Sequence, residues 1–190
     1  PVDPPATQRI SVSASGAQAG GPSAYPTLSA DGQQIAFASD AANLVAGDTN
    51  GAADIFVKDR SSGAILRASV SSAGTQAGGE SYAASISGDG SRVAFVSEGA
   101  NLVSGDQNGL PDVFVRDLAA GTTTRVSLSA SGQEADGASS APRLSADGRF
   151  VGFVSLATNL TPGDTNARSD VFVRDLQTGT LERISVAATG

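Results

Sequence analysis

Leu28-Ser29-Ala30-Asp31-Gly32-Gln33-Gln34-Ile35-Ala36-Phe37 joins a short extended stretch to an apolar run through an Asp-Gly turn. It recurs as Ile86-Ser87-Gly88-Asp89-Gly90-Ser91-Arg92-Val93-Ala94-Phe95. The third copy is Leu144-Ser145-Ala146-Asp147-Gly148-Arg149-Phe150-Val151-Gly152-Phe153, so successive copies lie 58 residues apart. Other markers hold the same register: Arg9, Arg67, Arg125 and Arg183; Asp48, Asp106 and Asp164; Asn50, Asn108 and Asn166; Asp54, Asp112 and Asp170. A period of this length, kept without insertion or deletion, signals a repeat architecture in which each unit stacks on the next.

Within one unit, Ala24–Ser29 reads as a first strand ending at the turn Asp31-Gly32, where Gly supplies positive φ and Asp tolerates it. Gln34–Ser39 is an apolar run of strand length, followed by a polar loop from Asp40 to Ala53. Asp54–Asp59 reads as a third strand, Ser61-Ser62-Gly63 as a turn, and Ile65–Ser71 as a fourth strand. No i, i+3, i+4 apolar pattern marks a helix. Ile35 and Phe37 point to one face of the second strand and Ala36 and Ala38 to the other. Strands apolar on both faces must be covered on both faces. A four-stranded meander stacked between copies of itself is a propeller blade. The expected fold is therefore all-β: β-propeller blades, as three four-stranded antiparallel repeats of 58 residues. It forms one repeat domain over 1–190, with units at about 24–72, 82–130 and 140–187.

The quoted stretches resemble the blade signature of the TolB-like, or WD40-like (PD40), β-propeller repeat family. Asp112-Val113-Phe114-Val115-Arg116-Asp117 is similar to that family's third strand. The family usually has Pro where Ala30, Gly88 and Ala146 stand, and an aromatic where Leu28, Ile86 and Leu144 stand. The resemblance spans nearly the whole chain and implies fold, since such blades serve binding, scaffolding and enzyme-gating roles alike.

Three blades fall short of the usual four to eight. Fourth-strand sequences also number four, because Gln8–Ser13 repeats one ahead of any first strand; 8–13 is expected to be an orphan strand. Three arrangements follow. Two chains could close a six-bladed ring through head-to-tail contacts. The chain could be a piece of a longer propeller. Or the orphan strand could pair with a neighbouring edge and build a larger assembly or filament. In two of the three, the expected partner is the chain itself.

Composition narrows the function. The net charge of −7 argues against nucleic acid and against anionic lipid as partners. No apolar run is long enough to insert in a membrane. With no Cys and no His, disulfides, thiolate metal sites and a Ser-His-Asp triad are excluded. No catalytic and no cofactor-binding residues are assigned, and the acids repeat with the fold, whereas an active site usually breaks repeat symmetry. The chain begins at Pro1 and contains no Met, so a processed or excised chain is expected. Its acidity, small polar residues and lack of Cys suit an extracellular or periplasmic location.

The motif with most chemical content is Gly47-Asp48-Thr49-Asn50-Gly51-Ala52-Ala53-Asp54. It gathers side-chain oxygens on a tight loop just before a strand, as hard cations require, which makes Ca2+ the expected ion. The expected ligands are Asp48, Asn50 and Asp54; Asp106, Asn108 and Asp112; Asp164, Asn166 and Asp170. Asx-turn chemistry accounts for the same residues without a metal. In the third copy Ala167 and Arg168 replace the Gly and its apolar neighbour, which weakens that site most. Asn43-Leu44, Asn101-Leu102 and Asn159-Leu160 are expected to pin the preceding loop, with Leu buried and Asn bonded to backbone. The repeated arginines are expected to pair with Asp59, Asp117 and Asp175 across the last turn. The function expected is a non-catalytic scaffold or binding module, stabilised by Ca2+ and completed by self-association. Its alternatives are an accessory that gates a larger hydrolase, and a structural subunit.

Overall fold

The computed structural model describes residues 7–186, and among these there are three four-stranded antiparallel sheets and no helix. Blade 1 contains β1 (Ser23–Leu28), β2 (Gln34–Ser39), β3 (Asp54–Asp59) and β4 (Ile65–Arg67). Blade 2 contains β5 (Ser81–Ile86), β6 (Arg92–Ser97), β7 (Asp112–Asp117) and β8 (Thr122–Arg125). Blade 3 contains β9 (Ser139–Leu144), β10 (Phe150–Ser155), β11 (Asp170–Asp175) and β12 (Leu181–Arg183). Every blade is a meander bonded in chain order. The expected domain limits, 1–190, and the end of the third unit at 187 run past the described residues.

The two central strands of each blade share one register: Phe37 opposes Phe56, Phe95 opposes Phe114, and Phe153 opposes Phe172. The paired rings lie 6.0, 5.9 and 5.7 Å apart. These rings form the large face of each blade, and the opposite face is built from smaller residues. Phe95 and Phe114 of blade 2 pack on Ala36, Ala38, Ile55 and Val57 of blade 1. Phe153 and Phe172 of blade 3 pack on Ala94, Val96, Val113 and Val115 of blade 2. Large residues against small ones let the sheets approach closely, which is how period-2 strands bury both faces.

The first strand of each blade carries a bulge at one position. The β1–β2 ladder shifts register between Ala24 and Thr27, and Tyr25 lies there at φ 55°. Ala83 and Ala141 repeat the feature at φ 54° and 52°. The left-handed region is costly for a residue with a Cβ, so a bulge kept in all three blades belongs to the design of the inner strand.

The turns also connect the blades. Asp31 Oδ1 accepts from Ser29 Oγ at 2.6 Å and from the Gln33 N–H at 2.9 Å, closing an Asx turn. The Ala30 N–H donates to Gly88 O at 2.7 Å, and the Gly88 N–H donates to Ala146 O at 2.8 Å. These are the positions where the similar family carries Pro, which has no N–H to give. A Cβ at Gly88 would stand 2.8 Å from Ala146 O, which explains the glycine.

The fourth strands are shorter than expected. β4 ends at Arg67, not Ser71, and the chain then crosses to the next blade through a small hairpin closed by the Val70–Gln76 bridge. Leu128–Glu134 closes the same hairpin between blades 2 and 3. Gln8–Ser13 is likewise not a strand. Among the described residues it pairs with no third strand and forms the same connector, closed by Val12–Gln18 and packed on blade 1 through Ile10. A cation on the third strand clamps each connector. Lys58 Nζ donates to Val12 O and Ser13 O, each at 3.3 Å, and Arg116 donates to Ser71 O at 3.1 Å. Arg174 does the same for Val126 O and Leu128 O.

Candidate functional site

The Asp-x-Asn loops come together as expected, but around an arginine. Antiparallel pairing sets Arg67 opposite Phe56, near the start of β3, while Asp59 sits at its far end. The expected pairing of Arg67, Arg125 and Arg183 with Asp59, Asp117 and Asp175 is therefore wrong. Arg67 Nη1 instead lies 3.1 Å from Asp54 Oδ2 and 3.5 Å from Asp48 Oδ1. Its Nη2 donates to Gly47 O at 3.0 Å. Arg125 repeats this with Asp112 and Asp106, each at 3.1 Å, and adds Glu134 at 2.8 Å. Arg183 repeats it more loosely, 3.3 Å from Asp164 and 3.7 Å from Asp170.

Other side chains close the network. Ser69 and Ser127 donate to Asp54 and Asp112, each at 2.5 Å, and Ser185 donates to Asp170. Gln76 Nε2 reaches back from the connector to Asp48 at 2.9 Å and to Asp54 at 3.0 Å. Asn50 turns its amide nitrogen to Asp54 Oδ2 at 3.3 Å and to Ala77 O at 3.1 Å. Its oxygen accepts from the Ala52 N–H. Asn108 has the same arrangement, and Asn166 keeps only the contacts inside its own loop.

This donor set does not fit Ca2+. The guanidinium stands between the two carboxylates where a cation would sit, and each Asn presents N–H, not oxygen, to the neighbouring Asp. Among the described residues, no group of three or more acidic, His or Cys side chains is placed for a metal ion.

Burial shapes these acids. It pushes the Asp54 carboxyl above its usual range, against the hydrogen bond from Ser69 and the charge of Arg67. It pushes Asp106 up as well. At Asp170 the hydrogen bond from Ser185 prevails and the carboxyl is held down. Asp170 is shielded from direct solvent contact, and among the described residues no further blade lies over it.

The remaining expected loop residues behave as backbone pins. Leu44, Leu102 and Leu160 are buried. Asn43 Oδ1 accepts from the Gly20 N–H at 2.7 Å and Nδ2 donates to Gln18 O at 2.8 Å, with parallel contacts at Asn101 and Asn159. Asp59, Asp117 and Asp175 cap their own turns; Asp117 and Asp175 also meet Arg92 and Arg149.

A second site departs from the repeat. A cleft of about 690 Å³ opens between blades 1 and 2, lined by Tyr25, Tyr82, Asp40, Glu80 and Glu98 among others. Fifty-eight residues on, Tyr25 becomes Ala83, Tyr82 becomes Ser140, Glu80 becomes Ala138 and Glu98 becomes Leu156. No Lys or Arg lines it. Burial, and then the charges of Glu98 and Glu80, raise the Tyr82 hydroxyl above its usual range. Sequence reasoning missed this cleft. The signal present was a pair of tyrosines, the only two in the chain, at positions their repeat partners do not share.

No family model matches the chain, and no curated relative does. Solved structures do share its architecture. A TolB from Agrobacterium tumefaciens superimposes with a TM-score of 0.55 and 19% identity, over 85% of this chain and 48% of that one. The β-propeller domain of the Trilobed protease from Pyrococcus furiosus gives 0.55 and 15%, over 90% and 45%. A prolyl endopeptidase gives 0.53 and 15%, over 88% and 22%. The fold is that of β-propeller blades, and the chain spans less than half the length of these proteins.

Proposed function

We propose that this chain is a non-catalytic, extracellular or periplasmic binding module, and that its binding place is the cleft between blades 1 and 2. One observation carries the reading. The acids present in all three units are held by arginine, serine or turn N–H groups, whereas Asp40, Glu80 and Glu98, whose places the third unit fills with Leu156 and Ala138, line an open cleft beside two tyrosines. Carboxylates beside aromatic rings favour a cationic group such as a guanidinium or an ammonium, through charge and cation–π attraction. The location rests on composition alone.

Both tyrosines of the chain lie in the cleft and there is no Trp, so intrinsic fluorescence reports on this place alone. Titration with triarginine is expected to change that emission saturably, with triglycine inert. The combined variant Glu80→Gln, Glu98→Gln is expected to weaken the response at least tenfold. An identical response in that variant, or none up to millimolar peptide, sinks the proposal. A second reading, an accessory that gates a larger hydrolase, draws on the likeness to the propeller of a prolyl endopeptidase. Loss of hydrolysis by a parent protein on removal of these blades would favour it.

A further inference from the structure

We propose that the open face of blade 3 seats blade 1 of a second copy of this chain, head to tail, with that copy's Gln18 completing the Arg183 network. The inference is independent of the tyrosine cleft.

The two internal interfaces are the template. Ile55 and Ala68 of blade 1 are buried against blade 2, and Val113 and Val126 of blade 2 against blade 3. Their counterparts in blade 3 are Val171 and Ile184. Val171 is 43% exposed where Val113 is 0% exposed. On the other outer face, Leu28 is 58% exposed where its counterpart Ile86 is 6% exposed. Blade 1 there presents Pro26, Leu28, Ile35 and Phe37 along two shallow apolar clefts, part of which Ile10 already covers in the place that Ala68 takes on blade 2. Each outer face therefore carries one half of a contact that the molecule makes twice within itself.

Polar groups identify the occupant more narrowly than apolar area does. The Asp164 side chain is 1% exposed, and among the described residues neither of its carboxyl oxygens has a hydrogen-bond partner. The Arg183 guanidinium is near it at 3.3 Å, without bonding geometry. In blade 1 the missing partner is Gln76 of the connector, which bonds Asp48 and Asp54. In blade 2 the connector residue at that place is Glu134, which instead accepts from Arg125. Gln18 is the residue 58 positions before Gln76, on a connector of the same shape. It is exposed and, among the described residues, its side chain makes no hydrogen bond. Asn166 likewise lacks the connector carbonyl that Asn50 and Asn108 find in Ala77 and Ala135, and Ala19 occupies that place beside Gln18. The turns agree: Ala30 donates to Gly88 and Gly88 to Ala146, which leaves Ala146 to donate to Ala30 of the next copy. A second copy supplies all of these groups at once. Two such contacts close a ring of six blades, within the usual range. One local adjustment is required. Thr7–Val12 of the incoming copy corresponds to 65–70, and Leu181–Val186 of the receiving copy already holds that place, so one of these two stretches is displaced at each seam.

The test is mass by light scattering at tens of micromolar chain. Wild type is expected as a dimer or larger species. Val171→Asp and Leu28→Lys are each expected to be monomeric yet folded, because both positions are exposed in the single chain, and to melt below wild type only by the stability that association adds. Mixing the two is expected to restore a dimer, since only a head-to-tail contact leaves one wild-type seam and one Asp–Lys seam. Gln18→Ala is expected to weaken association at least tenfold without altering the monomer. A wild-type monomer overturns the proposal. So does association that survives both face variants, which would place the contact elsewhere.

Discussion

Blades 2 and 3 share a pattern and differ in what covers them. In blade 2, Arg125 is buried and held by Asp106, Asp112 and Glu134. In blade 3 the equivalent arginine stands off from its acids, and both Asp164 oxygens lack bonds among the described residues. Val113 and Val171 occupy the same place on the same strand, one sealed and one open. The strands, register and Phe pair are nearly unchanged between the two. A blade thus specifies its own sheet, and the following connector and blade tighten its polar network. This is how a repeat protein divides its stability between units and interfaces.

The comparison can be broken first at the arginine. Arg125→Ala removes the cation from two buried carboxylates and is expected to cost about 3 kcal/mol, the low end for a broken buried pair, because the Glu134 side chain stays 29% exposed. Arg183→Ala should cost clearly less when both are measured in the monomeric Leu28→Lys background. Equal losses in chemical denaturation would mean that the covering blade contributes nothing. Next, in the Leu28→Lys background, where the head-to-tail contact is lost, Val113→Ala is expected to cost about 2 kcal/mol as a sealed position, and Val171→Ala less than about 0.5 kcal/mol as an open one. Similar shifts at both would indicate that Val171 is covered even in the single chain.

Acid sharpens the comparison in another way. Asp89 and Asp147 are held low first by Ser87 and Ser145, Asp117 first by the Ala120 N–H, and Asp175 first by Arg149. A carboxyl held lower in the folded than in the unfolded chain adds stability above its unfolded pKa of about 4. That stability is lost as pH falls through this value toward the folded one. Asp54 and Asp106, raised by burial, work in the opposite sense and are relieved by protonation. The turn acids are the more numerous, so melting temperature should fall below about pH 4, and Asp89→Asn should flatten that fall. A melting temperature constant from neutral pH to strong acid would contradict the turn assignments. The smallest effect is expected from calcium: equal melting temperatures in millimolar Ca2+ and in chelator. A rise with Ca2+ would return the Asp-x-Asn loops to metal chemistry.

The fold was legible because its markers act locally. Asp31 closes its own turn, Phe37 faces Phe56 one strand away, and Leu44 buries under its own loop. The arginine network was half legible. Asp48, Asn50 and Asp54 announced a cation site, but the cation is the repeat's own Arg67, whose partner depends on antiparallel register and not on proximity across a turn. Gln76 was hidden for a different reason. It stands on the connector 22 residues from Asp54, and its repeat partner is Glu134, so identity does not recur there. Lys58, Arg116 and Arg174 gave a readable signal: a recurring cation in a strand apolar on both faces has to find acceptors, and it finds the connector carbonyls.

The constant spacing has a consequence for how such a chain can change length. Each connector serves the blade before it through the residue at Gln76 or Glu134, and the blade after it through Asn101 or Asn159. Joining Thr75 directly to Glu134 would excise one whole unit and hand the duties of Gln76 to Glu134, with every turn, clamp and seam still matched. Gain or loss of blades in steps of 58 residues therefore needs no compensating substitution at the join, whereas a step of any other size misaligns every network downstream.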